Sequence, residues 1–284
     1  MSLPEPIYFP YRTRSSNISI DHRSHFVGQP DWQTQRRTDA TRANAFQEAV
    51  FRILSALNHP GTGGAVLRVI IRMSPRKLLV IRPSPTSNPD VAHAYVQGDT
   101  IYDGRDAFAP PQGTGQGAAV TNLFITPRHY GQHSDVQVTM LHELVHVVRS
   151  MTGQRADSQP VAGYENLEEY LATIVANVFC SERDPSSFAY GYQHRVGMFR
   201  WRGSYERDPF WRNIDDILTQ SGRVGPSNFS QLSSVQAQEV SRRFVADAGH
   251  GALMRAFRAS NPDLFQALAA VRRAAFNPMR DLSG

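Results

Sequence analysis

A chain of 284 residues with 40% hydrophobic content and a formal charge of +5 can bury one sizeable core, or one core and an appendage. This is the composition of an ordinary soluble globule: no apolar stretch reaches membrane-spanning length, and no basic cluster interleaved with aromatics argues for nucleic-acid binding. The lone Cys180 excludes an intramolecular disulfide, and with no CxxC pair the sequence argues against a separate structural zinc site.

Residues 1–40 are polar and Pro/Arg-rich, with Pro4, Pro6, Pro10 and Ser15-Ser16, and read as an extended or flexible arm. From Asp39 a helix carries Ala45, Phe46, Ala49, Val50, Ile53 and Leu54 to about Asn58, where Pro60-Gly61 stops it. Gly63-Gly64 opens a shorter helix from Ala65 to about Met73. Leu78-Leu79-Val80-Ile81 is a strand ending at Pro83, and a further short strand lies around Ala94-Tyr95-Val96. Gly113-Thr114-Gly115-Gln116-Gly117 precedes a strand and opens no helix, the wrong order for a phosphate cradle. That strand runs from Ala118 to Thr126 and stops at Pro127.

Ser134 to Gly153 reads as one helix, capped by Ser134 or Asp135 and ended by Gly153 in the left-handed region. A second helix runs from Tyr164 to Phe179, with Leu167, Leu171, Ile174, Val175 and Val178 on its apolar face. After Phe199 come Trp201, Tyr205 and Phe210-Trp211, then helical segments Ile214–Leu218, Val235–Ala246, Ala252–Phe257 and Leu264–Ala275. The order of elements is that of an α+β fold. Residues 41–284 form one domain, with an upper part over 41–153 and a helical lower part over 154–284.

The helix from Ser134 carries His142-Glu143-Leu144-Val145-His146. Histidines four residues apart lie on one helix face, one turn from each other. Both imidazoles can reach one zinc ion, with Glu143 facing the open coordination position. Val138, Leu141, Val145 and Val148 make the same helix apolar, so it is largely buried. Two histidines and a glutamate inside such a helix cost several kcal/mol unless paired or bound to metal. A core helix whose histidines bond to backbone is the plain alternative.

Zinc hydrolases of the glutamate-ligand class take a third ligand from a helix packed against the first. Glu165, Glu168 and Glu169 compete for that place. Close approach needs small residues three and seven positions beyond the ligand. From Glu169 these are Ala172 and Ala176; from Glu168, Leu171 and Val175; from Glu165, Glu168 and Ala172. Glu169 is therefore favoured. Thr173, one turn on, is placed to hydrogen-bond a metal-bound histidine or Glu169 itself. Glu165, one turn before Glu169, is the alternative ligand or an outer carboxylate, and an acidic first turn favoured by the helix dipole accounts for at least one of the three.

Such a site would bind one zinc per chain. Glu143 would take a proton from water and return it to the leaving amine. For the oxyanion, Tyr190-Gly191-Tyr192-Gln193-His194-Arg195 offers His194 and Tyr192. Lys77 is the sole lysine among 30 basic residues. Codon bias in a GC-rich genome explains this, and so would selection against ubiquitination in a foreign cytosol.

His142-Glu143-Leu144-Val145-His146, with Glu169 beyond it, resembles the gluzincin-like metallopeptidases. More narrowly it is similar to the bacterial effector metallopeptidases delivered by type III and related secretion systems, some of which cut host mitogen-activated protein kinases. Gly64-Ala65-Val66-Leu67-Arg68-Val69-Ile70, the strand from Leu78, the glycine-rich segment and the strand ending at Pro127 follow in that family's order, over residues 60–180. The resemblance implies a zincin-like fold, a small sheet with an edge strand over the active-site helix. The strand just before that helix would form the upper rim, where an extended peptide pairs with it. It also implies an endopeptidase acting on a protein of a host or rival cell, secreted without a cleavable signal peptide; a cytoplasmic enzyme fits the same N-terminus. Oligomeric state stays open. A catalytically silent zinc-binding interaction module on the same fold is the rival reading, and the intact Glu143 speaks against it.

Overall fold

The computed structural model describes residues 6–12, 16–21, 40–73, 77–83, 94–98, 117–125, 136–183, 208, 210 and 233–284. These residues are α+β, with one five-stranded sheet and eight helices among them. They fall into two units, Met1–Asn58 with Leu67–Arg155, and His59–Val66 with Ala156–Gly284.

The first unit holds the sheet. Its strands are β1 (Ile7–Phe9), β2 (Ile18–Ile20), β3 (Leu78–Pro83), β4 (Ala94–Gly98) and β5 (Val120–Ile125). They lie in the order β1-β2-β3-β5-β4. The three inner strands are parallel, with Ile18 opposite Leu79 and Leu79 opposite Thr121. The outer strands β1 and β4 run antiparallel to their neighbours. Parallel strands are apolar along their length because both faces are covered. Accordingly Leu79, Val80 and Ile81 are all buried, as are Leu123, Phe124 and Ile125. Near the ends of these strands, Arg82 reaches the Asp21 carboxylate at 3.5 Å and donates to Asn122 Oδ1 at 2.9 Å.

The N-terminal segment is not an arm outside the domain. Ile7–Phe9 and Ile18–Ile20 are strands of the sheet, and Phe9, Ile18 and Ile20 are buried. The domain therefore does not begin at residue 41. Each strand is only three residues long, too short for a period-two pattern to stand out from the prolines and serines around it. Arg12 then ties the hairpin to helix α1 (Ala40–Leu57), donating to both carboxylate oxygens of Glu48 at 2.8 and 3.0 Å. Its guanidinium holds the Glu48 carboxyl below the usual carboxylate range.

A second correction concerns the sheet edge. β5, the strand nearest in sequence to the metal-motif helix, has β3 on one side and β4 on the other, so its pairing groups are spent. Among the described residues the strands at the two edges are β1 and β4. Helix α3 (Val136–Met151) packs against both β4 and β5, and also against α1.

α3 ends as its sequence predicts. Gly153 has φ +70°, Gly153 N–H donates to Ser150 O at 3.1 Å, and Gln154 N–H donates to Arg149 O at 2.8 Å. That pair of bonds is a complete Schellman motif. Ser134 and Asp135, the expected caps at the other end, lie outside the described residues.

Helix α2 (Thr62–Arg72) starts three residues earlier than Gly63-Gly64 suggests. A carboxylate from far along the chain supplies its cap: Glu182 accepts from Thr62 N–H at 2.8 Å and from the Thr62 hydroxyl at 2.9 Å. Glu182 sits near the end of helix α4 (Leu167–Arg183).

The rest of the second unit is a run of short helices, α5 (Ser234–Ala246), α6 (Ala248–Ser260), α7 (Pro262–Ala269) and α8 (Pro278–Ser283). Their ends are explicit in the sequence. Ser233 and Gln236 form a capping box, and Asp247 ends α5 and caps α6 through Gly249 and His250 N–H. The expected final helix over Leu264–Ala275 is shorter than that and is followed by α8, because Pro278 at the first helical position opens a helix. Asn277, fully buried, donates to Leu268 O and Val271 O and accepts from Arg280 N–H, so one amide holds α7 to α8. The expected segment Ile214–Leu218 lies outside the described residues.

Gly117 stands at φ +59°, and a Cβ there would lie 2.0 Å from the Met151 carbonyl oxygen. This close approach lets the next residue, Ala118, donate its N–H to Ser150 O at 2.9 Å, joining β5 to the end of α3. Gly117→Ala is expected to cost about 2–3 kcal/mol in denaturant unfolding, from backbone strain and the forced shift. A change within about 0.5 kcal/mol would contradict this packing.

Candidate metal centre

From Val138 to Met151 every residue of α3 is buried, His142, Glu143 and His146 included. Four-residue spacing puts both imidazoles on one face, and their Nε2 atoms lie 3.2 Å apart. Two nitrogens bound to a tetrahedral zinc at about 2.05 Å would stand about 3.3 Å apart. The ring planes meet at 80°, so the two rings do not stack but converge through these nitrogens.

Glu169, from the first turn of α4, completes a cluster with them. The ligand atoms of His142, His146 and Glu169 all lie within 4.8 Å of one another. Among the described residues this is the one group of three His, Cys, Asp or Glu side chains spaced to hold a metal ion. Two neutral imidazoles and one carboxylate form a donor set that suits a divalent ion such as zinc. Glu143, the residue after His142, is 8% exposed.

The start of α4 sorts the three acids by local structure. Asn166 Oδ1 accepts from Glu169 N–H at 3.0 Å, the bond of an N-cap residue to the third helical position. The helix therefore begins at Leu167, three residues after the sequence reading put it. Tyr164 lies before it, in an isolated bridge to Val161. Glu165 consequently is not on the helical face of Glu169: it precedes the helix and is exposed. Asn166-Leu167-Glu168-Glu169 carries the capping signature that would have placed this boundary.

Glu168 is 1% exposed, and its carboxylate accepts from Ala156 N–H at 2.7 Å. It anchors the loop before the helix and is absent from the cluster. Thr173 is buried, but its hydroxyl makes no hydrogen bond among the described residues, so the expected bond to a histidine or to Glu169 is not formed there. Its neighbour on the same face one turn further, Asn177, is also buried. His194 and Tyr192 lie outside the described residues. Tyr170, next to Glu169, is fully buried; burial pushes its phenol well above the ordinary value, with the charges of Tyr164, Asp208 and Asp247 adding to the effect.

Glu169→Ala is expected to weaken metal binding in chelator competition by more than the roughly 10–100-fold typical of an outer hydrogen-bond partner. Glu168→Ala is expected to lower stability by about 1–3 kcal/mol, since it strips a charged acceptor from a buried N–H, while changing metal affinity less. The reverse order would reassign the ligand. The chain matches no protein-family model, no curated protein and no solved structure.

Proposed function

We propose that this protein is a zinc-dependent endopeptidase. The observation that carries the reading is the convergence of His142 Nε2, His146 Nε2 and the Glu169 carboxylate beside Glu143 on a buried helix. His142, His146 and Glu169 would hold one zinc ion per chain. When bound, zinc supplies Lewis acidity, which acidifies water and polarises a carbonyl.

The chain's own residues supply the rest. Glu143 follows a ligand directly, so its carboxylate is held near the open position without being a ligand itself. It takes the proton from the attacking water and delivers it to the leaving amine. Glu143, 8% exposed, is withdrawn from bulk water, so the proton it takes is kept for the leaving group. Among the described residues β4 is an edge strand, packed on α3, and its outer backbone groups would let an extended peptide lie as a further strand. His194 and Tyr192 remain the proposed oxyanion donors.

The zincin-like reading of the fold is supported by the edge strand over the motif helix and the helical second unit. No helix among the described residues is long and apolar enough to cross a membrane. A protein of a host or rival cell is the proposed substrate, and a specialised bacterial secretion system the proposed route. The near-absence of lysine fits a protein that must persist in a foreign cytosol.

The test begins with elemental mass spectrometry after exhaustive dialysis, which should find about one zinc per chain. Glu143→Ala should keep that zinc and the wild-type melting temperature. It should lose about 10²–10⁴-fold in cleavage of a denatured protein mixture. Zinc retained by a wild-type chain that cleaves nothing would turn the reading to an interaction module, and no bound zinc would end the metal reading.

A further inference from the structure

We infer that Tyr170, His250 and Asp208 form a positioning chain that sets the direction of Glu169, a role that rests on the metal-centre reading above. Tyr170 follows Glu169 in the first turn of α4. Its hydroxyl lies 2.9 Å from His250 Nδ1, across 80 residues of sequence. On the other side of the ring, His250 Nε2 lies 3.3 Å from Asp208 Oδ1. The Asp208 carboxylate also accepts from Phe210 N–H at 3.1 Å and from the Tyr164 hydroxyl at 3.4 Å.

The direction of the chain follows from its end. A carboxylate only accepts, so the imidazole donates from Nε2 to Asp208; in that tautomer Nδ1 is free of a proton and accepts from the Tyr170 hydroxyl. Every member is buried: Tyr170 at 0%, Asp208 at 2% and His250 at 8% exposure. The imidazole cannot turn, because the Phe244 ring stacks on it at 4.2 Å with an interplanar angle of 20°. Its backbone is held too, since Asp247 Oδ1 accepts from His250 N–H at 2.9 Å.

Burying this many polar groups is a poor route to stability, as an apolar set of the same volume would fill the space at least as well. It does fix the roll of α4 about its axis. Glu168 and Tyr170 flank Glu169, and each is tied to a partner, one to Ala156 N–H and the other to His250. With both neighbours locked, the helix cannot rotate, and Glu169 must point where it points. The tolerance is small: a 10° roll moves a carboxylate about 6 Å from the axis by about 1 Å, twice what a metal ligand can absorb.

The experiment measures zinc affinity by chelator competition, the visible spectrum of the cobalt(II) form and the melting temperature of the metal-free chain. Tyr170→Phe keeps the ring and removes only the hydroxyl. It should weaken zinc binding about tenfold and alter the cobalt spectrum. Ser181→Ala is the control, on the same helix three turns on, where the hydroxyl bonds to Phe276 O and Val178 O. It should lower the melting temperature and leave affinity and spectrum unchanged.

Should Tyr170→Phe not fold, His250→Asn and His250→Gln divide the two ends of the chain. The asparagine amide reaches the place of Nδ1 and should preserve affinity; the glutamine amide reaches the place of Nε2, abandons Tyr170, and should not. Variants that lose stability but bind zinc and cobalt like wild type would overturn the inference alone. A wild-type chain that takes up neither ion would overturn the metal-centre reading and the inference with it.

Discussion

Burying ionisable side chains inside an apolar helix is the constraint around which this molecule is arranged. α3 has its imidazoles and Glu143 in surroundings made of Leu141, Leu144, Val145 and Val148. Charges and hydrogen-bonding groups taken from water must find partners or lose several kcal/mol. A divalent ion held by the cluster would meet that need for the two imidazole nitrogens and one carboxylate at once. The helix that carries the two imidazoles has a Schellman stop at one end and packs on β4 and β5.

α4 answers the same constraint by dividing labour among adjacent acids. Glu165 stays in water. Glu168 goes inward and accepts from an amide N–H of the preceding loop. Glu169, half-buried, is left for the cluster. Three carboxylates within five positions therefore have three environments, and the difference comes from where the helix begins rather than from the residues themselves.

The metal motif was legible because its chemistry is local. A four-residue spacing is a statement about one helix, and the left-handed glycine after α3 is a statement about one turn. Glu169, favoured for the small residues Ala172 and Ala176 on its own face, is the one of the three acids that stands with the two histidines. What escaped the sequence depends on partners far away. Glu182 lengthens α2 from 120 positions downstream. Tyr170 finds His250 only once the C-terminal helices are folded. The strands Ile7–Phe9 and Ile18–Ile20 have too few residues to show a period, and they exist because β3 is there to pair with. The boundary of α4 was readable and was missed: the aromatic and acidic residues before Asn166 mimic a helical turn that its cap excludes.

The place of β2 in the sheet carries a practical consequence for anyone cutting this chain. It pairs with β3 in parallel across a gap that includes α1 and α2, so the two strands meet only once the polypeptide has doubled back. A fragment begun at the first long helix would leave β3 with one side bare, a flat row of amides flanked by Leu79 and Ile81. Such an edge recruits another copy of itself more readily than it recruits water. Poor solubility of a trimmed protein would then reflect a missing strand, and would say nothing about the stability of the intact one.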